Sequence, residues 1–324
     1  MNKRFSDIDM HMHSRASDGT DTPESLITAI RKQGIKTFSL TDHDTIKGTM
    51  EVERLLSRPS FGPSISGAVS FDPENSLTFF RGIEFSCRAP VRRCHILGYD
   101  FDPENASFRE ALRLGKEKRD EKLLRRLDYL KNTQHIIISE KDRDELMALE
   151  ICGKPHMAKV LIRMGYAATI TEAIEKYLKY IPGEKYGEDR ILAEMAISAI
   201  LDSGGIPVWA HPLRGIGEKP LSKEDLEKQL QFLIAYGIRG LECYYSLYTE
   251  QEAAFLLEKA EKYHLAVSAG SDYHGTNKTV NPGELNAFGK ILTAADITLL
   301  DLLGDRSHSH PVPDTLRYRS PTVR

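Results

Sequence analysis

FSDIDMHMHS, residues 5–14, is a short alternating run that ends in two histidines one residue apart. Alternation along an extended chain sends successive side chains to opposite faces, so His11 and His13 share one face and form a two-point clamp for a metal ion. The same arrangement, an apolar run ending in imidazoles or carboxylates, recurs down the chain. IKTFSL (35–40) runs into TDHDT with Asp42, His43 and Asp44; FFRGIEF (79–85) carries Glu84; CHILGYD (94–100) opens on His95. IPVWA (206–210) leads into His211, IRGLECY (238–244) carries Glu242, and LAVSAG (265–270) leads into GSDYH with Asp272 and His274. These seven runs, most of them followed by a helical pattern, predict a parallel α/β sheet or barrel. Any one of the residues alone is the ordinary content of a core or a surface. Their recurrence at successive strand ends, where a barrel gathers its active site, is what points to chemistry. Asp18, in SRASDGTDTP just after the first run, belongs to the same set. A second H-x-H, His308 and His310, stands in a Ser-, Pro- and Arg-rich tail and is expected to have no role.

Composition narrows the field. The 324 residues carry 44 Lys+Arg against 47 Asp+Glu, a net charge of −3, which excludes a protein that coats DNA by charge alone. At 40% hydrophobic and 28% charged the chain is globular, long enough for one large domain or a domain with an insertion. Charges interrupt the N-terminal apolar residues before a signal peptide could form, and no stretch approaches a membrane span, so a soluble cytoplasmic protein is expected. Cys87, Cys94, Cys152 and Cys243 form no C-x-x-C pair and are expected to be reduced interior thiols. Locally, Thr22, Pro23 and Gly34 suit the N-cap, first position and C-terminal cap of a helix through ESLITAIRKQ.

Residues 104–186, between the fourth and fifth runs, are too many for a βα connection and read as an inserted helical subdomain, flanked by barrel halves 1–103 and 187–303 and followed by a tail, 304–324. The insertion has a net charge of +3, against −6 for the remainder, and RLGKEKRDEKLLRR (113–126) holds seven basic residues against three acidic ones. A solvated helix face would account for that equally well. Residues 57–76 read as a long surface loop.

DMHMHSRASDGTDTP, LTDHDT, GIEFS, HILGY, AHP and GSDYH, in this order, resemble the PHP (polymerase and histidinol phosphatase) superfamily of metal-dependent phosphoesterases. GKPHMAKVLI (153–162) and AIEKYLKYIPG (173–183) resemble its branch of nucleoside 3′,5′-bisphosphate phosphatases and 5′–3′ exoribonucleases. The resemblance implies a distorted seven-stranded TIM-like (β/α)7 barrel and two or three divalent ions. His11, His13, Glu84 and Asp272 would hold the first; Glu84, bridging, with His95 and His211 the second; Asp18, His43 and His274 the third. Imidazoles and carboxylates without thiolate suit Mn²⁺, Fe²⁺ or Zn²⁺, with Mn²⁺ expected from the family. Asp42 or Asp44 would orient a ligating imidazole or cap the following helix; Glu242 would support a ligand or pair with a nearby base.

Ions of this kind ionise a bound water and neutralise phosphoryl oxygens, so no protein nucleophile is expected, and Ser14 reads as a hydrogen-bond donor or turn residue. The reading is a phosphoesterase acting on pAp or short RNA 5′ ends. Lys154 and His156, at the start of the helix after Pro155, with Ser14, Lys116 and Arg119, are expected to contact substrate phosphate. Histidinol-phosphate phosphatase is the alternative within the same chemistry, and a non-catalytic metal-stabilised module the alternative outside it. No membrane and no dedicated DNA-binding surface is expected, and oligomeric state is left open.

Overall fold

The computed structural model describes residues 5–57, 70–72, 77–179, 189–215 and 219–304. All seven apolar runs are strands, and they lie side by side in one sheet: β1 (Ile8–Asp9), β2 (Thr37–Leu40), β4 (Leu77–Arg88), β5 (Arg93–Tyr99), β7 (Ile206–Ala210), β8 (Gly240–Tyr245) and β9 (Ala266–Gly270). β1 returns to β9: Met10 N–H donates to Ala269 O at 3.0 Å, and Met12 forms a parallel bridge with Tyr273. The result is a distorted, nearly closed seven-stranded barrel.

Two short strands join β4 off this path. β3 (Ser70–Asp72) pairs with it antiparallel, within the segment expected to be loop throughout, and β6 (Ile191–Leu192) pairs with it parallel at Cys87 and Arg88. Residues 58–69 and 73–76 of that segment, and the tail beyond Gly304 with His308 and His310, lie outside the described residues.

The expectation of an all-parallel sheet is corrected at β5, which runs antiparallel to both β4 and β7. The cause is a connection of four residues, Ala89–Arg92, between β4 and β5; a parallel crossover needs a dozen or more. The reversal matters for the site. His95, at the beginning of β5, pairs with Ser86 near the end of β4 and with Ala210 at the end of β7, so it joins the ligands at the other strands' C-terminal ends.

Helices α1 (Pro23–Gln33) and α2 (Lys47–Leu56) pack Leu26, Ile30, Val52 and Leu56 on the outside of β1, β2 and β4. Thr22 Oγ1 accepts from Ser25 N–H, Pro23 starts α1, and Gly34 ends it at φ 78°, the left-handed conformation that costs glycine least. The described residues between β5 and β6 form helices alone: α3 (Ala106–Asn132), α4 (Glu140–Met147), α5 (Lys154–Arg163) and α6 (Ile170–Ala173), the last continuing as a π-helical turn, Ile174–Leu178. α3 belongs to two cores. Phe108, stacked on Phe101 at 4.2 Å, packs against the barrel, whereas Leu123 and Leu130 pack with Met157, Leu161 and Leu178 in a separate apolar cluster. Helices α7 (Ala193–Asp202), α8 (Lys223–Ala235), α9 (Glu250–Lys262) and α10 (Leu299–Gly304) cover the remaining barrel wall around Trp209, Leu241 and Tyr245. The four cysteines are unpaired and buried. Among the described residues no helix is long and apolar enough to cross a membrane.

Candidate metal centre

Glu84 stands at the middle of the C-terminal barrel face, buried, with five imidazoles around its carboxylate. Oε2 lies 3.2 Å from His11 Nε2, 3.0 Å from His13 Nε2 and 3.0 Å from His43 Nδ1. Oε1 lies 2.8 Å from His95 Nδ1 and 3.3 Å from His211 Nε2. Three groups of donor atoms close to within 4.8 Å: His11, His13, Glu84 and Asp272; His13, Asp18, His43 and His274; and His43, Glu84 and His95. The first coincides with the set implied by the family resemblance. In the other two, His43 also joins Glu84 and His95, and His13 also joins Asp18 and His274; His211 Nε2 stands 3.2 Å from His95 Nδ1. All nine expected ligands therefore meet at one place.

The arrangement suits cations better than protons. Among the described residues Glu84 Oε2, Asp18 Oδ1 and His43 Nδ1 are shielded from solvent without a conventional hydrogen-bond partner. His11 Nε2 and His13 Nε2 approach to 3.2 Å, and His11 Nδ1 is committed to Glu242 Oε1 at 2.8 Å, which turns the Nε2 lone pair toward Glu84 and Asp272. Burial pushes the carboxyl of Glu84 up, but His43, His95 and His11 more than offset it and hold Glu84 well below the usual range. Burial also disfavours charge on His13, yet Asp272 and Glu84 raise it to about 9. His274, buried beside His13 and Lys278, falls to about 4. Imidazoles forced apart in this way by shared carboxylates occupy ground where a divalent ion would serve both partners.

The supporting residues answer two questions left open above. Glu242 receives His11 Nδ1 on Oε1 and the His211 backbone N–H on Oε2 at 2.7 Å, so it orients one imidazole and the turn that carries another. Gly270 makes room for this: a Cβ there would lie 2.1 Å from His11 Cβ and 2.6 Å from Glu242 Oε1. Asp42 neither caps α2 nor bonds a histidine; it accepts from Ser14 N–H, Ser14 Oγ and Ser17 Oγ, locking the turn after β1. Asp44 accepts Ser86 N–H at 2.7 Å and Arg119 Nε at 2.5 Å. Asp44, His211 and Asp272 all hold positive φ, at 51°, 30° and 55°. A non-glycine residue is rarely kept there unless its surroundings dictate it, and these three lie at the strand ends that aim the ligands.

Two contiguous clefts open on this centre, sharing Asp18, His43, His95 and Pro155. The ion-facing cleft, about 220 Å³, has Lys278 as its one Lys or Arg among the described residues, with Nζ 2.5 Å from Asp272 Oδ2. The neighbouring cleft, about 350 Å³, is lined by Arg119, Lys122, Arg126, Lys154 and Arg190, against Asp18 and Asp189.

Of the expected phosphate contacts, Arg119 and Lys154 line this second cleft. Ser14 faces Asp42, and Lys116 pairs with Asp120 and the Glu150 carbonyl, so neither lines either cleft. His156 Nδ1 accepts from Gly153 N–H at 3.0 Å, capping its own helix, and the start of α5 lies against Asp18. Lys122, Arg126, Arg190, Asn277 and Lys278 were not singled out from sequence. For the first two a signal existed: Arg119, Lys122 and Arg126 follow i, i+3, i+7 spacing and share one face of α3. Arg113 and Lys118 pair with Glu110, Glu117 and Glu121 along the helix itself, as a solvated face does.

Residues 9–188 match the PHP domain family. The chain is 27% identical over 274 residues to a 5′–3′ exoribonuclease of Haemophilus influenzae, covering 85% of this chain and 91% of that one. It is 27% identical to phosphoribosyl 1,2-cyclic phosphate 1,2-diphosphodiesterase of Eggerthella lenta (82% and 94% covered) and 25% identical to 3′,5′-nucleoside bisphosphate phosphatase of Chromobacterium violaceum (86% and 89%). Among solved structures, a protein from Bifidobacterium adolescentis assigned as a metal-dependent phosphoesterase superposes with TM-score 0.73 at 26% identity, covering 92% of this chain and 95% of that one.

Proposed function

The chain belongs to the PHP family and is a metal-dependent phosphoesterase, and from that premise we propose that its substrate is a nucleotide carrying two phosphates, cleaved at one and held by the other. The observation that carries this reading is the division of the cleft. Among the described residues, one part is lined by imidazoles and carboxylates with a single lysine, and the adjoining part has five Lys or Arg side chains against two carboxylates. A monophosphate such as histidinol phosphate needs the first part alone. The two phosphates of pAp, with the 3′-phosphate cleaved, or the 5′ end of a short RNA, would fill both, in keeping with the names of the Haemophilus and Chromobacterium relatives.

We assign His11, His13, Glu84 and Asp272 to one ion, His95 and His211 with Glu84 to a second, and Asp18, His43 and His274 to a third, with Mn²⁺ as the preferred metal. Ions bound there would supply the Lewis acidity that activates water and offsets phosphoryl charge. The chain's own part is to orient and to exclude. Glu242 fixes His11, Asp42 and its serines fix the turn carrying His13, and Tyr245 and Lys278 hold Asp272 Oδ2 so that Oδ1 turns to the centre. Lys278, in the ion-facing cleft, is placed to attract the scissile phosphate, and Arg119 and Lys154 the other. His156 keeps Lys154 in place by capping α5.

The test is turnover with Mn²⁺ on pAp, 3′-AMP, histidinol phosphate, a 5′-phosphorylated oligoribonucleotide and a 1,2-cyclic phosphoribose. pAp or the oligonucleotide should lead by at least tenfold in kcat/KM. Histidinol phosphate or the cyclic ester in first place would overturn the two-phosphate reading while leaving the phosphoesterase intact.

A further inference from the structure

Taking the two-phosphate reading as given, we infer that Arg190, backed by the Arg119–Lys122–Arg126 face of α3, is the seat of the uncleaved phosphate. Arg190 precedes β6, whose pairing with β4 at Cys87 and Arg88 anchors it beside the end of the strand that carries Glu84. It lines the cationic cleft together with His95, and also a small hollow on the other side of His95, but not the ion-facing cleft. It therefore borders the centre without belonging to it.

Its bonding is what sets it apart. Among the described residues Arg190 Nε and Nη1 are shielded from solvent and have no acceptor. The nearby carboxylates point their hydrogen bonds elsewhere, and none is made to Arg190 Nε or Nη1. Asp189 is paired with Lys122 and lies 3.6 Å from Arg93, and Asp44 is taken by Arg119 and by Ser86 N–H. Burial, with Arg119 and Arg93 close by, outweighs the pull of Asp189 and Asp44 and lowers the Arg190 pKa, yet a guanidinium stays charged at neutral pH. A half-buried guanidinium in a cationic cleft, with two shielded N–H groups left open, is costly until an anion arrives. A phosphate dianion fits that need in charge and in acceptor number.

The start of α5 is the competing seat. It lies against Asp18, and a carboxylate already occupies the field of that helix end, whereas Arg190 Nε and Nη1 have no hydrogen-bond acceptor among the described residues.

The experiment compares wild type, Arg190→Gln and Arg190→Lys, each Mn²⁺-loaded and checked for metal content and Tm. Three quantities are measured: kcat/KM on a nucleoside 3′,5′-bisphosphate, kcat/KM on the 3′-monophosphate of the same nucleoside, and inhibition by its 5′-monophosphate. Arg190→Gln should lose roughly 10- to 150-fold on the bisphosphate, mainly through KM. It should weaken 5′-monophosphate inhibition by a similar factor and leave the 3′-monophosphate within about twofold. Arg190→Lys should recover part of both losses by keeping the charge. Equal losses on the two substrates, or no loss on either, would overturn the assignment. A wild type that does not prefer the bisphosphate sinks the substrate reading alone; the anion seat stands if Arg190→Gln still weakens 5′-monophosphate inhibition and falls if it does not.

Discussion

The ion-facing cleft and the cationic cleft share four residues and are assembled by different means. The first is made mainly of short side chains at strand ends, several of them locked by a buried partner: Glu242 on His11, Asp42 on the turn after β1, Tyr245 on Asp272. The second is made of long side chains reaching from helices α3 and α5 and from the segment before β6, two of which, Arg119 and Lys122, are held by Asp44 and Asp189. A rigid frame holds what must be placed to a fraction of an ångström. Reach and charge suffice for a phosphate that is only gripped. The two clefts should accordingly fail in different ways when altered.

The largest effect is expected at Glu84. Glu84→Ala removes the carboxylate that faces five imidazoles, so turnover on every substrate should fall to background while circular dichroism stays that of a folded barrel. Normal turnover in the Glu84→Ala enzyme would contradict the mechanism outright. Glu242→Gln should come next, lowering Mn²⁺ affinity by roughly 10- to 100-fold, seen by metal titration, because His11 loses the anion that fixes its tautomer. If affinity holds and turnover alone falls, Glu242 acts on substrate instead.

At the cationic end the losses should depend on substrate. Lys154→Ala should cost pAp on the order of 10-fold in kcat/KM and spare p-nitrophenyl phosphate, which has no second phosphate. Equal penalties would return Lys154 to the fold. Deleting 104–186 is the coarse version of that test: we propose that the barrel still binds metal and loses its preference for two phosphates.

Proton competition sharpens the contrast further. His13, at about 9 in the metal-free protein against an unperturbed 6.5, contributes stability that is complete below pH 6.5 and is lost as pH rises through 9. Metal-free protein should therefore melt lower at pH 9 than at pH 6.5, whereas metal affinity should rise over the same interval as the proton leaves. A Tm that rises with pH in the chelated protein would remove His13 as the cause. The smallest effect belongs to the solvent side of α3. Arg113→Ala breaks exposed pairs with Glu110 and Glu117 and should change stability by less than about 1 kcal/mol and kcat/KM not at all.

The same contrast governs what could be read from sequence. Strand-end ligands were legible because period-two alternation and turn residues fix where a strand stops, and His11, His13, Asp272 and His274 stand within a few residues of such stops. Direction was not legible from alternation, which is the same read forwards or backwards; the eight residues between FFRGIEF and CHILGYD were the better guide, being too few for a crossover helix. β6, two residues long, has no pattern to detect. The cationic cleft was half legible. Arg119, Lys122 and Arg126 announce themselves by helical spacing, but Arg190 follows GEKYGED with no periodic partner, and only the fold brings it beside His95. Ser14 and Lys116 show the limit of composition: each has the right chemistry, and a nearer carboxylate takes it.

The reversal of β5 has one more consequence. Because that strand runs back to the far end of the barrel, α3 begins there, and its 27 residues, about 40 Å, climb the whole wall before passing the catalytic rim. Phe108 fixes its foot, Arg119 meets Asp44 at the rim, and Lys122 and Arg126 beyond it line the cationic cleft. The helix thus acts as a ruler, setting how far the charges of the cationic cleft stand from Glu84. Each inserted turn would lift them by about 5.4 Å, so relatives with a longer or shorter α3 foot would be gauged for anions spaced differently along the substrate.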